Sequence, residues 1–311
     1  MPLDASRLLP SGHTHTRDCA ARAFSGCACQ YEPHAPGERS NGDHVTRVLA
    51  VANQKGGVAK TTTVASLGAA LTEQGRRVLL VDLDPQGSLT FSLGHDPDKL
   101  AVSIHEVLLG DVEPDTALLE TPEGMTLLPA NIDLAGAEAM LLMRAGREYA
   151  LKRALTKLES STDPFDVVIV DCPPSLGVLT LNGLTAADEV IVPLQCETLA
   201  HRGVGQFLRT VDDVQQITNA DLVLLGALPT LYDSRTTHSR DVILDVVDRY
   251  QLPVLAPPIP RTVRFAEASA SGASVLAGRK NKGALAYREL AAALLKHWKS
   301  GKALPTFTPE L

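Results

Sequence analysis

The sequence predicts an α/β fold built on a doubly wound, mostly parallel sheet with helices on both faces. Three features lead to this expectation. Apolar segments of strand length alternate with helical patterns from residue 45 to 300, without an internal repeat or a sign of a second domain. The apolar segments are continuous runs, as in strands that are buried on both faces. The first of them leads through a glycine-rich loop directly into a helix.

The individual elements follow from these patterns in chain order. The apolar runs predict six strands, at 48–52, 77–82, 125–130, 165–171, 190–194 and 222–228. Helical periodicity predicts helices at 64–74, 102–109, 132–158, 203–217 and 284–298, the third of them interrupted near Gly146. In that interrupted helix the side chains expected to supply the core faces are Leu134, Met140, Leu141, Leu151, Leu155 and Leu158. Met143 is likewise interpreted as a packing residue.

Composition narrows the class of protein. Of the 311 residues, 44% are hydrophobic, which is enough for a sizeable core, and the net charge is −7. The chain lacks the overall basic balance that would indicate nucleic-acid binding, so any such binding must use a local patch. No apolar run approaches the length of a transmembrane helix, and the first residues lack the apolar core of a secretory signal. The five cysteines do not form a spaced disulfide framework, which indicates a reducing cytoplasm.

The two ends of the chain differ from its middle. Residues 1–44 have neither helix nor strand periodicity, and they contain three cysteines and four histidines. A metal site is one interpretation, but the spacing of Cys27 and Cys29 lacks the paired geometry of a zinc module. The favoured interpretation is a disordered tail, or a segment that is not translated because synthesis begins near Val45. Residues 301–311 are expected to form a short C-terminal tail.

The glycine-rich loop has the sequence N-Q-K-G-G-V-A-K-T-T-T, residues 53–63. A loop of this kind directs successive backbone N–H groups at one point, and the N-terminus of the following helix adds a partial positive charge. Together they form an anion cradle, for which a nucleotide phosphate chain is the obvious ligand. Lys60 is placed to reach the β- and γ-phosphates, and the Thr61 hydroxyl to bind Mg²⁺.

Carboxylates follow two of the predicted strands. The strand at 77–82 leads into D-L-D-P-Q-G, which contains Asp82 and Asp84 at the edge of the sheet where α/β proteins bind ligands. The same two residues could also cap the turn that follows. The strand at 165–171 ends at Asp171, which can hold Mg²⁺ through water while the loop holds the nucleotide. Cys172 is explained as well by a small buried residue as by a reactive thiol or a cluster ligand.

Several motifs in a fixed order resemble the ParA/MinD family of ATPases, P-loop NTPases with a deviant Walker A loop. They are K-G-G-x-x-K-T at 55–61, D-x-D-P-Q-G at 82–87, D-C-P-P-S-L-G at 171–177, T-x-Y-D-x-R-T at 230–236 and I-P-R-x-V-R at 259–264. The resemblance covers about residues 45–300, which we interpret as one ATPase domain. The nearest group is the ParA/Soj type, which partitions chromosomes or plasmids.

The resemblance implies a weak ATPase that depends on Mg²⁺. In this family the first lysine of the loop, Lys55 here, reaches across a dimer to the nucleotide of the other subunit. Asp84 positions the attacking water, so the implied catalytic residues are Lys55, Lys60 and Asp84. The implied nucleotide contacts are Lys55, Gly56, Gly57, Val58, Ala59, Lys60, Thr61 and Thr62, with Pro260 and Arg261 near the adenine. The implied metal ligands are Thr61, Asp82, Asp84 and Asp171.

One loop position departs from the family pattern. Ala59 stands where the group usually has glycine. Its Cβ is expected either to crowd the phosphates or to demand a negative φ. Nucleotide affinity and hydrolysis rate are the properties that this departure affects, and the fold is not.

The resemblance also implies partners and a location at the nucleoid. ParA/Soj-type proteins form an ATP-bound homodimer that binds double-stranded DNA without sequence preference, and a ParB-like partner stimulates hydrolysis and release. Residues 235–302 carry a net charge of +7, and Arg235 and Arg264 match family arginines that touch DNA. Alternatively, the basic segment is only a solvated face, or the arginines are used on Asp233, on Glu267 or on the nucleotide. Asn182 is a further candidate for the dimer interface.

Two other functions remain open from the sequence. A MinD-like membrane ATPase needs a C-terminal amphipathic helix, which Pro305 and Pro309 disfavour. We therefore expect no membrane partner. A metabolic enzyme or metallochaperone on the same scaffold needs substrate or metal ligands beyond the nucleotide site, and the only candidates are the cysteines and histidines of residues 1–44.

Overall fold

The computed structural model describes residues 45–196, 200–278 and 281–309, except for the side chains of residues 200–202. Its strands are β1 (Arg47–Val51), β2 (Val78–Asp82), β3 (Leu119–Glu120), β4 (Thr126–Leu128), β5 (Val167–Asp171), β6 (Glu189–Gln195) and β7 (Val223–Thr230). They form a seven-stranded sheet in the order β3-β4-β2-β5-β1-β6-β7. Only the pairing of β3 with β4 is antiparallel within this sheet, so the predicted mostly parallel architecture is confirmed.

Helices lie on both faces of the sheet, as predicted. They are α1 (Lys60–Glu73), α2 (Ser88–Ser92), α3 (Ile104–Leu109), α4 (Leu134–Leu141), α5 (Ala150–Glu159), α6 (Val178–Ala186), α7 (Ala200–Ile217), α8 (Thr237–Tyr250), α9 (Arg264–Ala270) and α10 (Lys282–Ser300). Side chains alternate between faces along each strand. In β1, Val48 and Ala50 pack with helices α3 to α7, whereas Leu49 and Val51 pack with α1, α2 and α10. The two cores hold the sheet between two helical layers.

The predicted long helix at 132–158 is two helices. Helix α4 ends at Leu141 and α5 begins at Ala150, and Gly146 between them has a φ of 62°, which favours glycine. The break near Gly146 is therefore confirmed. The prediction that Met140 faces the core is wrong, because the inward face of α4 is formed by Leu134, Ala137 and Leu141. Met140 is half exposed, and Met143, interpreted as a packing residue, is 89% exposed.

The C-terminal end of the chain pairs with the body of the protein. Helix α10 ends at Ser300 and is capped by Gly301, and the chain then runs antiparallel to residues 254–256. The Phe307 N–H donates to the Val254 carbonyl at 2.7 Å, and the Ala256 N–H donates to the Pro305 carbonyl at 2.9 Å. Within the described ranges, no helix has the length and apolar composition needed to cross a bilayer. The predicted tail at 1–44 and its metal-site alternative lie outside the described residues.

Candidate functional site

The order of the strands brings the predicted site residues together at the carboxyl ends of neighbouring strands, which we call the carboxyl edge of the sheet. Strand β5 lies between β1 and β2, and its last residue, Asp171, is in register with Val51 on one side and Asp82 on the other. The loop at 53–59 leaves the end of β1, and the D-L-D-P-Q-G segment leaves the end of β2. The glycine-rich loop and the carboxylates therefore meet at the carboxyl ends of adjacent parallel strands, where open α/β sheets bind ligands.

Hydrogen bonds tie the loop to two further strands. The Asn53 side-chain amide donates to the Pro193 carbonyl of β6 at 2.6 Å, and the Asn53 side-chain oxygen accepts from the Lys55 N–H at 3.0 Å. The buried Thr230 hydroxyl at the end of β7 donates to the Val58 carbonyl at 3.0 Å. The shape of the loop is thus set by contacts with strands that are distant in sequence.

The interior of the loop has open space and backbone that favours glycine. A Cβ added at Gly56 or Gly57 would meet no protein atom within 4 Å, and Gly57 has a φ of 75°. Ala59 caps α1 with a φ of 63° and a ψ of 34°. The expectation that Ala59 could demand a negative φ is therefore wrong, since the loop keeps the left-handed conformation and accepts its strain. Thr61 and Thr62 follow in the first turn of α1 and are partly exposed.

Lys60 is buried inside this cradle. Its ammonium group donates to the Lys55 carbonyl at 3.2 Å, across the loop. Burial lowers the pKa of Lys60, and the negative charges of Asp171 and Asp84 oppose that change. The ammonium group is therefore held where burial disfavours its charge, and a phosphate group would restore the balance by supplying negative charge.

Asp171 is buried and its carboxylate lacks a suitable partner. Neither oxygen has a hydrogen-bond partner of good geometry among the described residues. Burial and the neighbouring Asp82 raise the pKa of Asp171 well above its usual value, while Thr61 and Lys60 oppose the rise. An orphaned buried carboxylate beside a threonine hydroxyl fits Mg²⁺, which is commonly held by one or two carboxylates together with substrate phosphates. No cage of three or more acidic, histidine or cysteine side chains occurs in the described ranges.

The other two acidic residues are engaged differently. One carboxylate oxygen of Asp82 accepts from the Thr90 N–H at 2.9 Å and the Thr90 hydroxyl at 2.8 Å, and the other accepts from the Asp84 N–H at 3.1 Å. Burial raises the pKa of Asp82 to about 6. Asp84 is partly exposed and accepts from the Gln86 N–H at 3.0 Å. Asp82 thus fixes the backbone after β2 through its hydrogen bonds, and Asp84 is the partly exposed carboxylate of this segment.

The segment after β7 brings the predicted adenine contacts to the same edge. The Tyr232 carbonyl accepts from the Arg261 N–H at 3.1 Å, and Tyr232 forms a parallel β-bridge with Pro260. Because Thr230 contacts the loop and Tyr232 contacts Pro260, these parts share one edge of the sheet. Arg261 is exposed there.

The two predicted DNA-binding arginines are ion-paired. Arg235 makes two hydrogen bonds to the Asp233 carboxylate, at 2.9 and 2.8 Å, and Arg264 bonds Glu267 at 2.6 Å. These are the internal partners that the sequence left open. Both arginine side chains are nevertheless exposed, Arg235 at 86%. Two further members of the basic segment, residues 279 and 280, lie outside the described residues.

Two other interpretations are decided by burial. The suggestion that Asn182 lies in a dimer interface is wrong, because its side chain is fully buried and bonds the backbone of Leu151, Arg147 and Val178. Burial raises the pKa of the Cys172 thiol, which makes it a packing residue rather than a reactive thiol.

The hydrogen bond from Thr230 to the loop was not predicted from the sequence. The only signal was its position at the head of the T-x-Y-D-x-R-T segment.

Comparison with known proteins identifies relatives over most of the chain. Residues 46–224 match a family described as AAA domain. The sporulation initiation inhibitor protein Soj of Bacillus subtilis is 43% identical over 247 residues, covering 79% of this chain and 96% of Soj. The chromosome partitioning protein ParA of Caulobacter vibrioides is 43% identical, covering 79% of this chain and 92% of ParA. A crystal structure described as cobyrinic acid a,c-diamide synthase from Mycobacterium smegmatis, with bound ADP and magnesium, is 80% identical with a TM-score of 0.77, covering 85% of this chain and 100% of that chain.

Proposed function

The chain belongs to the ParA/Soj family of partitioning ATPases, which act on ATP with Mg²⁺, and we propose that ATP switches it between a free form and a dimer that binds DNA. The observation that carries this proposal is that the parts of the predicted site lie together at the carboxyl edge of the sheet. The double-lysine loop, the orphaned Asp171 and the exposed arginines of segments 230–236 and 259–264 all lie there or follow directly from it. One nucleotide at this edge can therefore influence every part of the switch.

The residues of the edge divide the work of hydrolysis. Backbone N–H groups of the loop and Lys60 hold the phosphates, and Asp84 orients the attacking water. Thr61 and Asp171 would hold Mg²⁺, and Asp82 fixes the segment that carries Asp84. Mg²⁺ held there would supply positive charge beside the phosphates.

Lys55 is the proposed link between subunits. Two ATP molecules facing each other across an interface would bury a large negative charge, and a lysine donated by each subunit offsets it. The Lys55 backbone is fixed by Asn53 and Lys60 while its side chain is only partly buried. We therefore assign the Lys55 side chain to the nucleotide of the partner subunit.

The exposed ion pairs are compatible with DNA binding. An ion pair in water contributes only about 0–1 kcal/mol, so an arginine can exchange its carboxylate for a DNA phosphate at little cost. Arg235 and Arg264 stand in the segment of net charge +7, and dimerisation doubles the number of such groups that one duplex meets. We propose residues 45–300 as the ATPase domain, a ParB-like protein as the partner that stimulates hydrolysis, and the nucleoid as the location.

The test is a titration of duplex DNA with the protein in ATP, in ADP and without nucleotide. Binding should need ATP, be indifferent to sequence, and fail in Lys60→Ala, which cannot hold the phosphates. Arg235→Ala and Arg264→Ala should each weaken binding to every duplex and reduce the salt slope by about 0.9 for each DNA phosphate that is no longer neutralised. Arg153→Ala removes an exposed arginine from α5 and is the matched control. Unchanged affinity and salt slope in both arginine variants, with normal dimerisation, would exclude this surface.

The name of the Mycobacterium smegmatis relative raises a second candidate, the ATP-dependent conversion of carboxylates to amides. If glutamine supplies the nitrogen, an activated nucleophile such as a cysteine thiolate must release it. Among the described residues the cysteines are Cys172 and Cys196, both buried, and burial raises the pKa of Cys196 to about 12. Neither thiol is suited to that role, so partitioning is the better supported function. Incubation with cobyrinic acid, ATP and glutamine should yield no amide.

The segment after α10 does not support the MinD-like alternative. Residues 305–307 are not helical but pair with the backbone of residues 254–256. Sedimentation with anionic liposomes and ATP should leave the protein in the supernatant.

A further inference from the structure

We propose that Thr230 is a positioning residue of the ATP site, whose hydroxyl holds the Val58–Ala59 peptide so that the Ala59 N–H faces the phosphates. The proposal rests on the assignment of the loop at 53–63 as the ATP site. Thr230 lies outside that loop, at the end of β7, and acts through the loop rather than on the nucleotide.

The contact is buried and spans the sheet. The Thr230 hydroxyl donates to the Val58 carbonyl at 3.0 Å, and both residues are almost inaccessible to solvent, at 0% and 1%. Strand β6 separates β7 from β1, so the loop is held by a strand that is not a neighbour of its own strand. A buried carbonyl without this donor would remain unsatisfied, which makes the hydrogen bond costly to break.

The geometry of a peptide unit gives this contact a direction. In a planar trans peptide the C=O and the following N–H point in opposite directions. Because the Val58 carbonyl points at Thr230, the Ala59 N–H points away from Thr230. Ala59 is left-handed and stands at the N-terminus of α1, where successive N–H groups form an anion-binding concavity.

Ala59 makes the restraint necessary. Rotation of the Val58–Ala59 peptide by roughly 180° would carry the φ of Ala59 from the left-handed region to a negative value, which relieves the strain that a left-handed φ imposes on an L-residue. The same rotation would turn the Val58 carbonyl towards the phosphates and remove the Ala59 N–H from them. The strain at Ala59 therefore favours a loop that cannot bind ATP well, and the hydrogen bond from Thr230 opposes it. A glycine at this position would remove the strain and with it the need for Thr230.

The experiment compares Thr230→Val, which keeps the shape and loses the hydroxyl, with Thr230→Ser, which keeps the hydroxyl. The affinity for ATP with Mg²⁺ and the melting temperature are measured on each. Thr230→Val should bind ATP about tenfold more weakly, the size expected for one buried hydrogen bond, and Thr230→Ser should restore most of the affinity. Thr46→Val is the matched control. Thr46 donates a similar buried hydrogen bond to the Phe165 carbonyl at 2.8 Å, but at the amino ends of the strands, away from the ATP site. It should lower the melting temperature and leave ATP affinity unchanged.

The decisive readout is the dependence on the residue at position 59. In an Ala59→Gly background the loss of affinity caused by Thr230→Val should shrink to less than about threefold, since position 59 no longer carries a strain that favours the rotated peptide. A purely structural Thr230 would show the same loss in both backgrounds. Wild-type affinity in Thr230→Val, failure of Thr230→Ser to restore binding, or an unchanged loss in the Ala59→Gly background would each overturn the proposal. Thr230→Ala replaces the valine variant if that protein does not fold. A wild-type protein that does not bind ATP would instead overturn the assignment of the loop itself.

Discussion

Replacing Ala59 with glycine should make the nucleotide-free protein more stable. A non-glycine residue in the left-handed region costs about 1–2 kcal/mol, and Ala59 has a φ of 63°. Glycine recovers that strain but makes the unfolded chain more flexible, which costs roughly 0.4–1 kcal/mol. The net gain is therefore about 0.5–1 kcal/mol, which corresponds to a rise of roughly 1–4 °C in the melting temperature of a domain of this size.

Urea unfolding, followed by circular dichroism without nucleotide, measures this gain as a shift of the midpoint at constant slope. Gln251 is a positive control, because it caps α8 with a φ of 51° at a distance from the loop. Gln251→Gly should also stabilise the protein, but by less, because the Gln251 amide donates to the Val247 and Asp248 carbonyls and glycine loses those bonds. Ala139→Gly, at a solvent-facing position of α4, should instead destabilise it by about 1 kcal/mol. A destabilised Ala59→Gly beside a stabilised Gln251→Gly would refute the argument from strain.

Three further predictions concern the dimer, the chemistry and pH. Lys55→Ala should stay folded but remain monomeric with ATP in sedimentation, and an ATP-dependent dimer like that of wild type would contradict the role of Lys55. Asp84→Ala should slow hydrolysis at least about tenfold while keeping ATP affinity, so the ATP-bound dimer persists; turnover at the wild-type rate would remove Asp84 from the reaction. His297 bonds the buried Glu189 at 3.1 Å, and this contact raises the pKa of His297. Its ionic stabilisation should be complete below the unfolded pKa and disappear as pH rises through the folded pKa, so His297→Gln should lower the melting temperature more at pH 5.5 than at pH 9.

The parts of the site that the sequence predicted are local. Strand, loop and helix around Lys60 are continuous in the chain, and Asp171 ends an apolar run. These motifs can be recognised in the sequence because the residues that act together are neighbours in the chain. The layered fold followed for the same reason, from the alternation of apolar runs with helical periodicity.

The parts that escaped prediction depend on pairs that the sheet brings together. Thr230 and Val58 meet only because β7 and β1 lie one strand apart. Asn182 was interpreted as a candidate for the dimer interface, but its amide instead satisfies backbone groups of Arg147 and Leu151 that the break near Gly146 leaves unpaired in the interior. Met140 was predicted to face the core because it fits the helical periodicity of α4, but the buried face of that helix is narrower and leaves Met140 out. In each case a tertiary contact decided the role of the side chain.

The position of β1 inside the sheet, between β5 and β6, limits how early the protein can fold during synthesis. This strand is made first among the seven, yet Arg47 pairs with Val167, and Leu49 pairs with Glu189. The phosphate loop that follows β1 therefore leaves the ribosome long before the strands that support it on either side. Contacts between residues so distant in sequence form slowly and leave apolar strands exposed meanwhile. We expect a nascent chain that ends before β6 to bind no ATP, so the switch becomes available only once most of the domain has been synthesised.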